Sequence, residues 1–169
     1  LQTSEYLDPK RVKDAGLDPP LITIRVWQIE PGGPRSARAD APPAVLHVTT
    51  PGPAYRLAWA AADMPEPGPG ELLVRVHAAA VRTRDVLLAR GVLPEEPAAA
   101  RQPGPGLECA GVVIAVGARV SAFAPGERVY GLGTGTLRTH AVLPAATAAH
   151  VPDGMTLHAA ATLAAAHAT

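Results

Sequence analysis

From Ala44 onward the chain is cut at short intervals by proline and glycine: Pro51-Gly52-Pro53, Pro65 to Gly70, Pro125-Gly126 and Pro152-Asp153-Gly154. Pro fixes φ and removes a donor, and Gly supplies conformations closed to other residues, so such pairs stop regular elements. The pieces between them are too short for packed helices, and several alternate apolar with polar residues. That pattern predicts strands at Val45 to Thr49, Tyr55 to Trp59, Glu71 to Ala78, Glu108 to Val116, Arg128 to Leu132, Thr139 to Leu143 and Ala148 to Val151. Asp85 to Arg90 is the exception: it opens on a capping-type Asp and stops before Gly91, which predicts one short helix.

The flanks read differently. Residues 1–20 are polar and charged and carry little structure, whereas Leu21 to Glu30 has a β-branched strand pattern. Pro31 to Pro43 has the composition of a linker, and Pro94 to Pro105 that of an irregular loop. After Gly154, Thr156 is placed to cap an Ala-rich run, Leu157 to Ala168, with high helix propensity. The expected organisation is therefore an extension at 1–43, a β domain at 44–155, and the start of a helix at 156–169.

Charge and cysteine content narrow the function classes. Lys+Arg 15 balances Asp+Glu 15, so no basic field exists to attract a phosphate backbone or an anionic membrane surface, and nucleic acid is not an expected partner. A single cysteine, Cys109, cannot form an internal disulfide, which fits a reducing cytoplasm. Apolar stretches are interrupted before they reach membrane-spanning length, so the expectation is a protein that does not cross a membrane. The six histidines are scattered, with no pair at the i, i+4 spacing of a helical metal site. Gly131-Leu132-Gly133-Thr134-Gly135 superficially suggests a phosphate loop, but no helix start follows it, and a hairpin or rim loop is expected instead.

Four segments occur in a telling order: Pro67-Gly68-Pro69-Gly70-Glu71 running into Leu72 to Val76; Arg84-Asp85-Val86-Leu87; Gly106-Leu107-Glu108-Cys109-Ala110-Gly111-Val112-Val113 with Val116-Gly117; and Pro125-Gly126-Glu127-Arg128-Val129-Tyr130-Gly131. Together they resemble the medium-chain dehydrogenase/reductase superfamily, and within it the enoyl reductase domains of modular type I polyketide synthases, from about Ala44 to Thr169. The resemblance implies a mainly β fold, a GroES-like, partly open β-barrel with one or two short helices. The NADPH-binding Rossmann domain that follows in the family is expected to be absent from this chain.

What the resemblance implies about chemistry is mixed. Zinc-dependent relatives place a Cys near Arg82 to Asp85 and a His at the position of Leu107, so zinc is not expected. Polyketide synthase enoyl reductases usually have an Asn near the nicotinamide where this chain has Arg82, and a proton-donating Tyr where it has Leu93, which has no ionisable group. Arg82, Thr83 and Thr169 are the candidates for contact with the cofactor. Arg84 and Asp85 are more simply an ion pair or a helix cap, and Cys109, in an apolar strand, a small buried side chain.

The implied parent activity is NADPH-dependent reduction of an enoyl thioester on an acyl carrier protein, with the carrier and neighbouring synthase domains as partners. The piece itself is expected to be inactive and to bind no cofactor. A degenerate pseudo-enoylreductase acting as scaffold is the alternative, favoured by Arg82 and Leu93. A freestanding quinone reductase fragment fits less well with the segment before Ala44.

Overall fold

A computed structural model of the 169-residue chain describes residues 42–93 and 104–164, all within one compact unit, Ser36–Thr169. The strand expected at Leu21 to Glu30 and the residue Thr169 lie outside the described residues.

Seven strands form, in chain order β1 (Ala44–Thr50), β2 (Arg56–Ala61), β3 (Glu71–Ala79), β4 (Glu108–Val116), β5 (Arg128–Leu132), β6 (His140–Pro144) and β7 (Ala148–His150), with helices α1 (Thr83–Ala89) and α2 (Leu157–Ala160). β1 and β2 make an antiparallel ribbon, and the other five make one antiparallel sheet in the order β6-β3-β4-β5-β7.

That order forces the sheet to curl. Its outermost strands, β6 and β7, are joined by only a 3-10 turn, Ala145–Thr147. Four strand spacings would hold the edges of a flat sheet roughly 19 Å apart. A 3-10 segment of this length advances only about 8 Å. Register shifts between Leu73 and Val74 and between Val76 and Ala78 supply the bends, and the sheet closes into a half-barrel.

Alternation then decides what lies inside. Leu72, Val74 and Val76 of β3 turn to the concave face with Cys109 and Val113 of β4, Val129 of β5 and Ala141 and Leu143 of β6, and Phe123 packs against them from the β4–β5 connection. On the convex side Ala110 and Tyr130 meet Val151 and the alanines Ala160, Ala161 and Ala164. Two glycines are dictated by this packing: a Cβ at Gly111 would collide with the Arg75 carbonyl oxygen, and one at Gly117 with the Gly68 carbonyl oxygen. Gly126, at φ +95°, sits in the turn before β5.

The ribbon is tied to this body by backbone bonds. Leu46 N–H donates to Leu137 O (2.9 Å), Thr139 N–H donates to Ala44 O (2.9 Å), and Ala44 N–H donates to Thr139 Oγ1 (2.9 Å). Every residue of β2 is exposed.

Two expectations shift. α1 begins at Thr83, two residues before Asp85, because Asp85 acts from the third helical position by reaching back to Arg82 N–H. The helix ends at Arg90 with Gly91 at φ +68°, where Gly91 N–H donates to Leu88 O and Val92 N–H to Leu87 O, a Schellman arrangement. Along the Ala-rich run Leu157–Ala160 is α-helical, 161–163 form turns and Ala164 is helical again, while 165–168 lie outside the described residues. Thr156 caps it by accepting from Ala159 N–H (3.2 Å), but Thr162 Oγ1 donates back to Ala159 O, and the N–H groups of Thr162 and Leu163 bond three residues back instead of four. A hydroxyl bidding for helix carbonyls tightens the turn despite the alanine content.

Candidate functional site

The polar centre of the molecule lies where α1 meets the start of β4. A sharp turn, Gly104 to Leu107, leads into β4, and Gly106 makes it possible at φ +99°, with no room for a Cβ against Thr136 and Leu137. Gly106 O accepts from Thr136 N–H, and Pro105 O accepts from Leu137 N–H, so the turn is stitched to the segment before β6. Asp85 closes the other side: Oδ1 accepts from Gly106 N–H at 2.7 Å and Oδ2 from Arg82 N–H at 2.8 Å. One buried carboxylate thus fixes both the first turn of α1 and the turn into β4.

Glu108 is the second buried acid, its side chain 1% exposed. Its Oε1 accepts from Arg82 Nη1 at 2.6 Å, and its carbonyl accepts from Thr136 Oγ1 at 3.1 Å. The Arg82 side chain remains 43% exposed, so the guanidinium bridges a buried anion and the solvent-facing surface. Burial pushes the neighbouring Cys109 thiol up to about 12, with the Glu108 charge adding to the shift, so Cys109 stays a protonated core side chain.

The candidates fall as follows. Arg82 and Thr83 are together at the head of α1 and both face outward; Leu93 follows the Schellman turn and is half-buried. Arg84 is half-buried, and the capping role belongs to Asp85. The glycine-rich stretch at 131–135 links β5 to β6, with Gly133 N–H donating to Leu107 O, a rim loop. Sequence reasoning missed Glu108 as a partner of Arg82. Its signal was present: a carboxylate inside an otherwise apolar strand has to be satisfied by something distant.

Beside this centre, an apolar groove of about 80 Å³ opens between the ribbon and α1, lined among others by Leu46, Val48, Tyr55, Leu57, Val86 and Leu137. Asp85 lies at its edge with both oxygens already bonded.

These residues do not fit a zinc ion. The place of a thiolate ligand holds a guanidinium already bonded to the local carboxylate, and Leu107 has no lone pair to offer. For NADPH the fit is partial: Arg82 and Thr83 offer donors at the surface, but no glycine-rich strand-turn-helix cradle for a pyrophosphate exists among the described residues. No helix among them is long and apolar enough to cross a membrane.

Comparison with known proteins places this arrangement. Residues 68–153 match the alcohol dehydrogenase GroES-like domain, half of the chain. The pikromycin polyketide synthase component PikAII of Streptomyces venezuelae is 38% identical over 132 residues, 78% of this chain and 3% of that protein. Among solved structures, the CurK enoyl reductase is 30% identical with a TM-score of 0.64, covering 72% of this chain and 39% of that one. Mycobacterial Rv1454c, solved in complex with NADPH, is 34% identical with a TM-score of 0.60, covering 70% of this chain and 35% of that one. The chain thus spans a small part of the synthase and well under half of each reductase. With the matched segment running from the turn before β3 to the turn after β7, and with likeness to polyketide synthase components in sequence and to enoyl reductases in structure, the chain belongs to the alcohol dehydrogenase GroES-like domain family.

Proposed function

We propose that this chain is the substrate-side part of a polyketide synthase enoyl reductase, whose whole reaction is reduction of a carrier-bound α,β-unsaturated thioester with NADPH. The observation that carries the reading is the coincidence of two likenesses, to PikAII in sequence over 78% of the chain and to the CurK enoyl reductase in fold over 72% of it. Residues 44–155 are the substrate-side domain in this reading, and 156–169 lead toward a cofactor domain. NADPH supplies the hydride when bound. What this chain contributes is the wall facing the nicotinamide end, through Arg82 and Thr83 in the described residues, and through Thr169. Acyl carrier protein and neighbouring synthase domains are the partners, in a reducing cytosol.

The piece by itself does not turn over in this reading, because the described residues offer no cradle for the cofactor's phosphates. The test is NADPH oxidation with a crotonyl thioester, run on this chain and on the synthase polypeptide containing it. Oxidation by the synthase and none by the chain is the expected result; oxidation by the chain alone overturns the inactivity, and none by either overturns the reductase reading.

The Arg82–Glu108 pair gives the second reading its footing. With a guanidinium bound to Glu108 at 2.6 Å where the resemblance leads one to expect Asn, and Leu93 where it leads one to expect Tyr, the domain becomes a scaffold inside a multienzyme. A synthase that assembles its product normally with these residues changed, and shows no NADPH oxidation, selects that reading.

A further inference from the structure

Strand β2 has a side that no described residue uses. Ala62 N–H donates to Pro43 O at 3.0 Å just past the strand, and an antiparallel ladder exchanges bonds at every second position, so Ala60 and Ala58 face β1. Leu57, Trp59 and Ala61 therefore point their N–H and C=O groups away from β1, and among the described residues nothing bonds to them. The devices that usually blunt a free edge are missing: β2 has no proline and a single charge, Arg56, at its first position. Side chains add to the exposure. Tyr55 and Leu57 line the groove with Leu46 and Val48, and Trp59, paired with Leu46, shares that face.

We propose that the free edge of β2 is a homodimer contact, occupied by β2 of a second copy of this chain, antiparallel about a two-fold axis at Trp59. Centring on Trp59 sets each Leu57 opposite the other copy's Ala61 and pairs all three outward residues, for about six hydrogen bonds between copies. Any other centre pairs fewer of them. The side chains fit in the same register, with leucine opposite alanine and the two indoles facing each other across the axis. The charges fit as well. Arg56 falls opposite the second copy's Ala62 and beside its Asp63, while the two arginines stay roughly 20 Å apart at opposite ends of the pair. Neither Arg56 nor Asp63 has an ion-pair partner among the described residues, and the chain's net charge of +0 sets up no overall repulsion between copies.

The bodies leave room for this contact. Gly52 N–H donates to Ala89 O at 3.1 Å, which fixes the end of α1 at the tip of the ribbon. The two-fold axis sends the other copy's tip, and its α1, to the opposite end of the strands. Two ribbons of two strands become one four-stranded sheet, β1-β2-β2-β1, and the edge is closed, so association stops at two. A strand edge and one indole per copy are small against the roughly 800 Å² a side of a standard complex, so the dimer is weak and concentration-dependent.

Sedimentation velocity on the 169-residue chain tests this. The sedimentation coefficient should climb from monomer toward dimer between about 10 μM and 1 mM, the range of small interfaces. W59K and W59E each set like charges directly opposite across the axis, and each should lower the association constant by about tenfold or more, with circular dichroism confirming the fold. Mixing W59K with W59E sets Lys opposite Glu and should restore a one-to-one dimer. A monomer at every concentration overturns the proposal, as does a dimer that persists in W59K and W59E, a mixture that fails to associate, or growth beyond two copies. Hydrogen exchange covers the remaining case: the Leu57, Trp59 and Ala61 amides should gain protection as concentration rises. Protection already complete at about 10 μM would mean that another stretch of this chain occupies the edge, and would overturn the dimer. None of these readouts involves NADPH, so the contact stands or falls apart from the reductase reading.

Discussion

The five-stranded sheet and the two-stranded ribbon are built from similar residues and are held in opposite ways. In β3 and β4, side chains on both faces are covered, and Leu72, Val74, Cys109 and Ala110 have no solvent exposure. In β2, all six residues are exposed, Trp59 at 60% and Leu57 at 47%. The sheet is fixed by area and close packing, the ribbon by a few backbone bonds to residues 137–139 and by the edge of the groove. Leucine and alanine are thus core in one place and surface in the other. What differs is topology: the short β6–β7 link closes the sheet on itself and leaves the ribbon outside.

The contrast breaks first at Gly111. Substitution with Val drives a Cβ into the Arg75 carbonyl oxygen at the β3–β4 seam, where backbone cannot yield without parting the strands. The Gly111→Val chain should show no cooperative thermal transition. A transition within a few degrees of the parent would mean that the seam is looser than the packing indicates. Leu72→Ala, at a fully buried site, should cost about 3 kcal/mol by chemical denaturation, with the loss growing with the cavity left behind.

Next comes the junction between the two regions. Asp85→Ala orphans Gly106 N–H and Arg82 N–H together, two bonds to a charged acceptor, and should cost about 2 to 3 kcal/mol. Hydrogen exchange sharpens the reading. Amides of α1 and of the turn at 104–107 should lose protection in this variant, while those of β4 and β5 keep theirs. Uniform loss over the sheet would show that the junction is part of the core instead of its border.

How much of this was legible follows from the range of each signal. Alternation and turn residues act within a few positions, so the strands from Glu71, Glu108 and Arg128 begin where the pattern put them. The junction was hidden because its bonds span 21 residues from Asp85 to Gly106 and 26 from Arg82 to Glu108, and no local pattern records a partner at that distance. The lone charge of Glu108 inside an apolar strand announced that a partner existed, without naming it. The break in the Ala-rich run at 161–163 has a smaller cause: propensity favours the alanines, and one hydroxyl, on Thr162, redirects the carbonyls.

A pH effect of moderate size tests the seam between β3 and β6. His140 is buried opposite Arg75, and burial first, then the Arg75 charge, lower its pKa below 6.5. The unfolded chain therefore binds this proton more readily than the folded one. Its contribution to stability is full above pH 6.5 and is lost as pH falls from there through the folded value. Thr139 Oγ1, 3.0 Å from Nδ1, is the polar neighbour on its own segment. In His140→Gln the slope of stability between pH 6.5 and 5 should flatten relative to the parent; parallel slopes would remove His140 as its source. Glu127 acts in a lower window. Bonded by Ala124 N–H and His150, its pKa lies below 4.5, so its share is lost only at more acid pH.

The smallest effect belongs to the ribbon, and it is the one that most directly sets the two regions apart. Trp59 pairs across the ribbon with Leu46 but keeps most of its surface in water, so Trp59→Ser removes little burial and no hydrogen bond. Its stability should change by less than about 0.5 kcal/mol, as for other surface positions. Solubility at high concentration should instead rise, because an exposed apolar edge strand is a template for pairing with other chains. A loss of several kcal/mol on Trp59→Ser would place the ribbon's apolar face in the core and erase the distinction. A loss confined to the exchange protection of β1 and β2 would keep it, and would locate the stability of this molecule in the closed sheet alone.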